Sequence, residues 1–293
     1  RQVTILNVLD DQLDRFVDPA LVREKLTDVA KRATHALVLN ADDQNVLHIN
    51  KEVAAAGTSW FGLAQQIIAG TEHGLGNAPT YLAELPRPTT QTEILSFNED
   101  ETITLVADQR IKFDLPNRGI HFALDAAAAL ESARRFLGDL FDAQLAANTL
   151  TELPPVFARG EITQVNGVDV EFILVQNPMS FQLNLDNLPA DQEQLMVAIG
   201  RDVHDPSWLW TVDLKNLKKV DLVSGFNFAE TALRLAYDEI PIGVIEPDLE
   251  LALDNFFAQP APSWGRRTVI FSADAMRRTR RHLGFTDPEA VGR

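Results

Sequence analysis

Two acids stand close together in Gly200–Trp210, which reads Gly-Arg-Asp-Val-His-Asp-Pro-Ser-Trp-Leu-Trp. They are Asp202 and Asp205. Bulky apolar residues dominate the next stretch, so Ser207 to Val212 is expected to form a short buried strand. The acidic turn then sits at one end of a sheet. A carboxylate there is held by a rigid element and still reaches solvent or a partner. The other reading is a solvated acidic loop leading into two core tryptophans. A second polar group, Asn40-Ala41-Asp42-Asp43, ends an apolar run. Polar residues at the carboxyl end of a parallel strand lie where open α/β sheets bind ligands. A plain Asx turn is the alternative.

Other chemistry is excluded by pattern. There is no cysteine, hence no thiol nucleophile, disulfide framework or thiolate zinc site. No glycine is followed by lysine, so the phosphate-binding Gly-x-x-x-x-Gly-Lys loop is absent. His73-Gly74-Leu75-Gly76-Asn77 lacks the third glycine of a dinucleotide fingerprint. There is no His-Glu-x-x-His and no Gly-x-Ser-x-Gly elbow, and the six histidines are dispersed. A net charge of −16 repels nucleic acid and anionic membranes. No apolar run is long enough to span a bilayer. Arg277, Arg278, Arg280 and Arg281 fall late in the last helix, where a solvated, dipole-complementing face is expected.

The elements that must position these groups are legible. The 293 residues suggest two domains, divided by the proline-bearing stretch Thr151 to Pro155 into 1–153 and 154–293. In the first, Val3 to Leu9 reads as a strand, Pro19 to Arg32 as a helix capped by Asp18, and Ala36 to Leu39 as a second strand. This β-α-β order favours a parallel sheet. Trp60 to Ala69 could be a helix, and Gly70 to Thr92 reads as loop. Three antiparallel strands follow at 93–97, 102–107 and 110–113, then helices at about 124–137 and 139–148. The chain opens almost directly on an apolar strand, which predicts further sequence ahead of Arg1. In the second half, Asn166-Gly167 marks a hairpin. A helix is expected near Ser180. Strands at 195–199, 207–212, 220–223, 243–245 and 268–271 alternate with helices at 227–237, 247–257 and 273–283. That alternation predicts a Rossmann-like sheet covered on both faces.

Several short motifs occur in the order found in the Mur ligases, and most closely in their MurT branch. Asn7 to Phe16 resembles Asn-x-x-x-Asp-Gln-Leu-Asp-Arg-Tyr. Leu37 to Asp43 is similar to the strand-end Asn-Ala-Asp-Asp segment. Gly119, His121, Ala128 and Ala129 fit a helix motif in which Phe122 and Asp125 take the two asparagine places. Arg159-Gly160-Glu161 resembles the domain-junction arginine segment. Val175-Gln176-Asn177-Pro178 resembles Val-Lys-Asn-Pro, with Gln176 at the lysine place. Asp205-Pro206-Ser207-Trp208-Leu209-Trp210 resembles Asp-x-Ser-Trp-[Ile/Leu]-Trp. Ser224-Gly225, Ala232 to Tyr237 and Glu246 to Asp254 continue the order.

The resemblance implies an α/β chain. A truncated Mur central domain, mostly parallel with a small antiparallel part, precedes a Rossmann-like C-terminal domain. It also implies the synthetase subunit of a glutamine-dependent carbon–nitrogen ligase. Such an enzyme amidates D-glutamate of lipid II in cell-wall synthesis, in the cytoplasm, with ammonia from a GatD-type glutaminase held as a heterodimer. Asn40, Asp42, Asp125, Arg159 and Asn177 would then lie near ATP and Mg²⁺. Without the phosphate loop, that site is incomplete in this chain and nucleotide binding should be feeble or absent. No zinc is expected, because the branch's four-cysteine ribbon has no counterpart in the cysteine-free stretch 55–92. Asp205, or alternatively Asp202, would be lent to the glutaminase's Cys–His pair as the third member of a triad. The other implied reading is a non-catalytic, Mur-like partner of a glutaminase or a cell-wall precursor.

Overall fold

The computed structural model describes residues 1–10, 18–53, 57–98, 101–115, 119–153, 159–189 and 192–285. Gln12 and Asp14 of the first motif and Asn117-Arg118 lie outside them. Two compact units emerge, Arg1–Pro154 and Pro155–Arg293.

The first unit runs β1 (Gln2–Ile5), α1 (Pro19–Ala30), β2 (Ala36–Asn40), α2 (Gln44–Glu52), β3 (Thr58–Leu63), α3 (Gln65–Ala69), β4 (Thr92–Phe97), β5 (Thr102–Val106), β6 (Gln109–Phe113), α4 (Ile120–Leu137) and α5 (Ala143–Glu152). Its six strands lie in sequence order. β1 through β4 are parallel, and β4, β5 and β6 pair antiparallel. Every residue of β2 is buried, as a central parallel strand requires. Asp18 accepts a hydrogen bond from the N–H of Ala20 and Pro19 opens α1, so that helix starts where its cap predicts.

Two expectations for this unit are corrected. Trp60 to Ala69 is not one helix. Thr58-Ser59-Trp60-Phe61-Gly62-Leu63 is β3, seated between β2 and β4, and only Gln65–Ala69 is helical. Aromatic and β-branched residues favour the pleated surface, and the completed sheet outweighs any local helix preference. The first strand is also shorter than expected, ending at Ile5 rather than Leu9. Helix α2 was not foreseen, although Asp43 caps it by accepting from the N–H groups of Asn45 and Val46.

The second unit runs β7 (Arg159–Val165), β8 (Val168–Leu174), α6 (Pro178–Asp186), β9 (Gln194–Ala198), β10 (Val220–Ser224), α7 (Phe228–Tyr237), β11 (Ile242–Ile245), α8 (Leu249–Phe257), β12 (Arg267–Phe271) and α9 (Ala273–His282). The strand order is β11-β10-β9-β12-β8-β7, parallel except for the β7–β8 hairpin. That hairpin turns at Asn166 and Gly167, whose φ of 53° and 77° suit a two-residue primed turn. Alternation along each strand sends side chains to opposite faces. Leu195, Val197 and Ile199 join Phe181, Leu185, Ala232 and Leu235 on one side. Met196 and Ala198 join Leu249, Leu253, Phe256 and Met276 on the other. Helices therefore cover both faces.

The stretch expected as a strand at Ser207–Val212 is instead a 3-10 turn, Pro206–Thr211. Asp205 accepts from the N–H of Ser207 and Pro206 sets the first turn, so capping chemistry overrides the apolar run. Only one of its tryptophans packs inward. Trp208 lies against the core, edge-on to Phe181, whereas Trp210 is exposed. The arginine run of α9 is not one solvated face either: Arg280 is buried and pairs with Glu161 at 2.8 Å.

Candidate functional site

The connection from β9 to β10 leaves the carboxyl end of a central parallel strand. Gly200 starts it, and a Cβ there would come within 2.8 Å of the Ala275 nitrogen. This close approach lets Asp202 reach the start of α9. One Asp202 oxygen accepts from the Ser272 hydroxyl at 2.6 Å and the Asp274 N–H at 3.0 Å; the other accepts from the Ala273 N–H at 2.9 Å. Asp202 thus satisfies the open end of a helix from a distant loop. Asp205, three residues on, is exposed and accepts from the Ser207 N–H at 2.9 Å. Hydrogen bonds from the Ser207 hydroxyl and N–H hold its carboxyl below the usual carboxylate range, so it is ionised at neutral pH.

The rest of the connection is tied down. The Asn227 amide donates to the carbonyls of Gly200 at 2.9 Å and Val203 at 2.8 Å. Arg234 donates to the carbonyls of Leu209 at 3.1 Å and Val212 at 2.8 Å and pairs with Asp238 at 2.6 Å. Gln182 accepts from the Asp213 N–H and donates to its carbonyl. Exposed aromatic surface accompanies the turn. Trp210 meets Tyr237 edge-on at 5.2 Å, and Arg201 lies 5.3 Å over Phe226. Arg234 belongs to the Ala232–Tyr237 motif but was given no role there, and Asn227 and Gln182 were not singled out from sequence. Asn227 could have been, since it follows Ser224-Gly225 at a strand end; Gln182 carries no local signal.

In the first unit, the strand-end acids are engaged within the protein. The Asp42 side chain is buried and pairs with Arg87 at 2.7 Å while accepting from the Leu63 N–H. Burial pushes its carboxyl up, opposed by Arg87 and Leu63. Asp43 accepts from the N–H of Val8 at 2.6 Å and from Asn45 and Val46. Burial still outweighs these three donors and raises it to about 6. Asn40 accepts from the Asp42 N–H, and its buried Nδ2 has no partner among the described residues. Asp125 is exposed on α4. Asn177 closes a capping box with Ser180 at the start of α6. Arg159 begins β7, and its side chain lies outside the described set. Asp42 and Asn177 are already used inside the protein, and one unpaired amide is no phosphate cradle. Among the described residues, no three His, Asp or Glu side chains could hold a metal, and no helix is long and apolar enough to cross a membrane.

The decisive comparison concerns the unit that carries Asp205. Residues 174–264 match the MurT ligase C-terminal family. The rest of the chain agrees at the level of fold, which is that of Mur ligases. A pseudomurein peptide ligase type C from Methanothermus fervidus superposes with a TM-score of 0.72 at 15% identity, covering 97% of this chain and 63% of that one. MurF ligase from Thermotoga maritima, solved with ADP, gives 0.63 at 17% over 96% and 61%. The MurC UDP-N-acetylmuramate-alanine ligase from Thermotoga maritima gives 0.62 at 16% over 97% and 59%. The chain therefore spans about six-tenths of the length of these structures. No curated protein matches it in sequence.

Proposed function

We propose that the chain is the synthetase subunit of an ATP-dependent, glutamine-dependent ligase that amidates D-glutamate of lipid II, and that Asp205 completes the active site of a GatD-type glutaminase. One observation carries this reading. On the segment that matches the MurT C-terminal family, one acid is spent inside the fold and the other faces solvent ionised. Exposed aromatic side chains on the same connection and on α7 supply the rigid apolar area that protein partners bury.

The chemistry required of Asp205 is that of a triad's third member. Its carboxylate accepts the imidazole N–H of the partner's histidine, fixes the tautomer and stabilises the imidazolium. The histidine can then hold the cysteine as thiolate, which attacks the glutamine carboxamide carbon; the C–N bond breaks as the imidazolium protonates the departing ammonia, and water hydrolyses the thioester to glutamate. No described residue is assigned to the nucleotide.

Reconstitution with a GatD-type glutaminase tests the reading. Asp205→Asn should lower glutamine hydrolysis by roughly 10²- to 10⁴-fold without dissociating the pair. An unchanged rate sinks the assignment.

A second reading, a non-catalytic Mur-like partner of a glutaminase, is favoured by the closed Asp42–Arg87 pair where a nucleotide would approach. The reading frame ahead of Arg1 separates the two: a Gly-x-x-x-x-Gly-Lys loop encoded there supports the ligase, and a frame that opens near Arg1 supports the non-catalytic partner.

A further inference from the structure

We infer that Asn227 and Asp202 are positioning residues that fix the Asp205 carboxylate for its partner; this rests on the reading of Asp205 given above. The β9–β10 connection has little regular structure, and a loop of this kind ordinarily spreads its carboxylates over many positions. Here it is tethered just ahead of Asp205. Asn227 spends both amide hydrogens on the carbonyls of Gly200 and Val203, the latter two residues before Asp205. Its own N–H donates to the carbonyl of Ile199 at 2.9 Å. Ser272 links the other side. Its hydroxyl accepts from the Gly200 N–H at 2.7 Å and donates to Asp202. The stretch from Ile199 to Val203 is thereby bonded to the starts of α7 and α9. Arg234 holds the far end through the carbonyls of Leu209 and Val212. Asp205 is suspended between two anchored points.

These tethers act on the loop and not on the core. Val203, Leu209, Val212 and Leu214 are buried in one apolar cluster, which holds the connection to the core separately from these hydrogen bonds. Removing a tether should therefore leave the fold in place and loosen the carboxylate. A misplacement of ~1 Å in a reacting constellation can cost ~10²-fold in rate.

The test uses the full chain in complex with a GatD-type glutaminase. Asn227→Ala and Asp202→Asn should each lower kcat for glutamine hydrolysis roughly 10- to 100-fold, with KM and the affinity between subunits changed by no more than about 3-fold. On an Asp205→Asn background neither change should cause further loss, because both act through that carboxylate. Ser272→Ala, a milder change, should fall between wild type and Asp202→Asn. Hydrogen exchange in the chain alone should rise across residues 200–206 and not in β9 or β10. Full activity of both tether variants, or a loss that adds to that of Asp205→Asn, overturns the inference while leaving the role of Asp205 intact. An unchanged rate in Asp205→Asn overturns the underlying reading and the inference together. If Asn227→Ala does not fold, Asp202→Asn and Ser272→Ala decide.

Discussion

The Asp202 carboxylate lies 2.6 Å from the Ser272 hydroxyl, 70 positions later in the chain. That contact, with the two N–H groups beside it, makes Asp202 part of the framework of the second unit, while Asp205 is left outside it. Replacing Asp202 with alanine strips the start of α9 of its acceptor and should cost ~1–2 kcal/mol, the range for losing a helix cap. Denaturant unfolding should show this loss, and Asp205→Ala should give a distinctly smaller one.

The Asp42–Arg87 pair is the corresponding feature of the first unit. The Asp42 side chain is 1% exposed and that of Arg87 is 24% exposed. Arg87→Met leaves an uncompensated buried carboxylate and should destabilise the first unit by about 3 kcal/mol, the low end for breaking a buried pair because Arg87 is partly solvated. Arg87→Lys should not rescue it fully. One guanidinium reaches Asp42, the Leu63 carbonyl and Glu93, which an ammonium cannot reproduce.

Asp43 should titrate near 6 by carbon-detected NMR, against an ordinary value of 3.8. The sign follows from linkage. Between 3.8 and about 6 the folded chain keeps a proton that the unfolded chain has lost. This group's contribution to stability therefore falls as pH rises through that window and is flat above it, by up to roughly 3 kcal/mol. Asp43→Asn should remove that part of the pH dependence, although it turns an amide toward the Val8 N–H.

Gly225 sits at φ 91°, and a Cβ there would stand 2.5 Å from the Ile199 carbonyl oxygen. Backbone cannot yield as a side-chain tip can. Gly225→Ala should destabilise by more than ~3 kcal/mol, through strain and overlap together. Gly167→Ala, at φ 77° with nothing within 4 Å, should cost only ~1 kcal/mol. Parallel thermal melts of the two variants check the ordering.

Much of the fold was legible because its signals are local. Asp18-Pro19 started α1, and Asn166-Gly167 turned the hairpin. The alternation of apolar runs in the second half reported a two-faced parallel sheet. What failed depended on neighbours distant in sequence. Trp60 to Leu63 is a strand because β2 and β4 lie on either side. Pro206–Thr211 is a turn because Asp205 caps it, Arg234 holds its Leu209 carbonyl, and Arg234 and Gln182 hold the carbonyls of Val212 and Asp213 just beyond it. Arg87 sits in a stretch read only as loop, and nothing local marks it as the partner of Asp42.

The sequence by itself determined that this is a two-part α/β chain without thiols or a phosphate loop, with two candidate acids three residues apart. Only the tertiary structure decided between their environments, because a carboxylate's fate depends on which donors reach it. For Asp202 those donors come from the start of α9, some seventy residues away, while Asp205 is exposed and takes its hydrogen bonds from Ser207, two positions on.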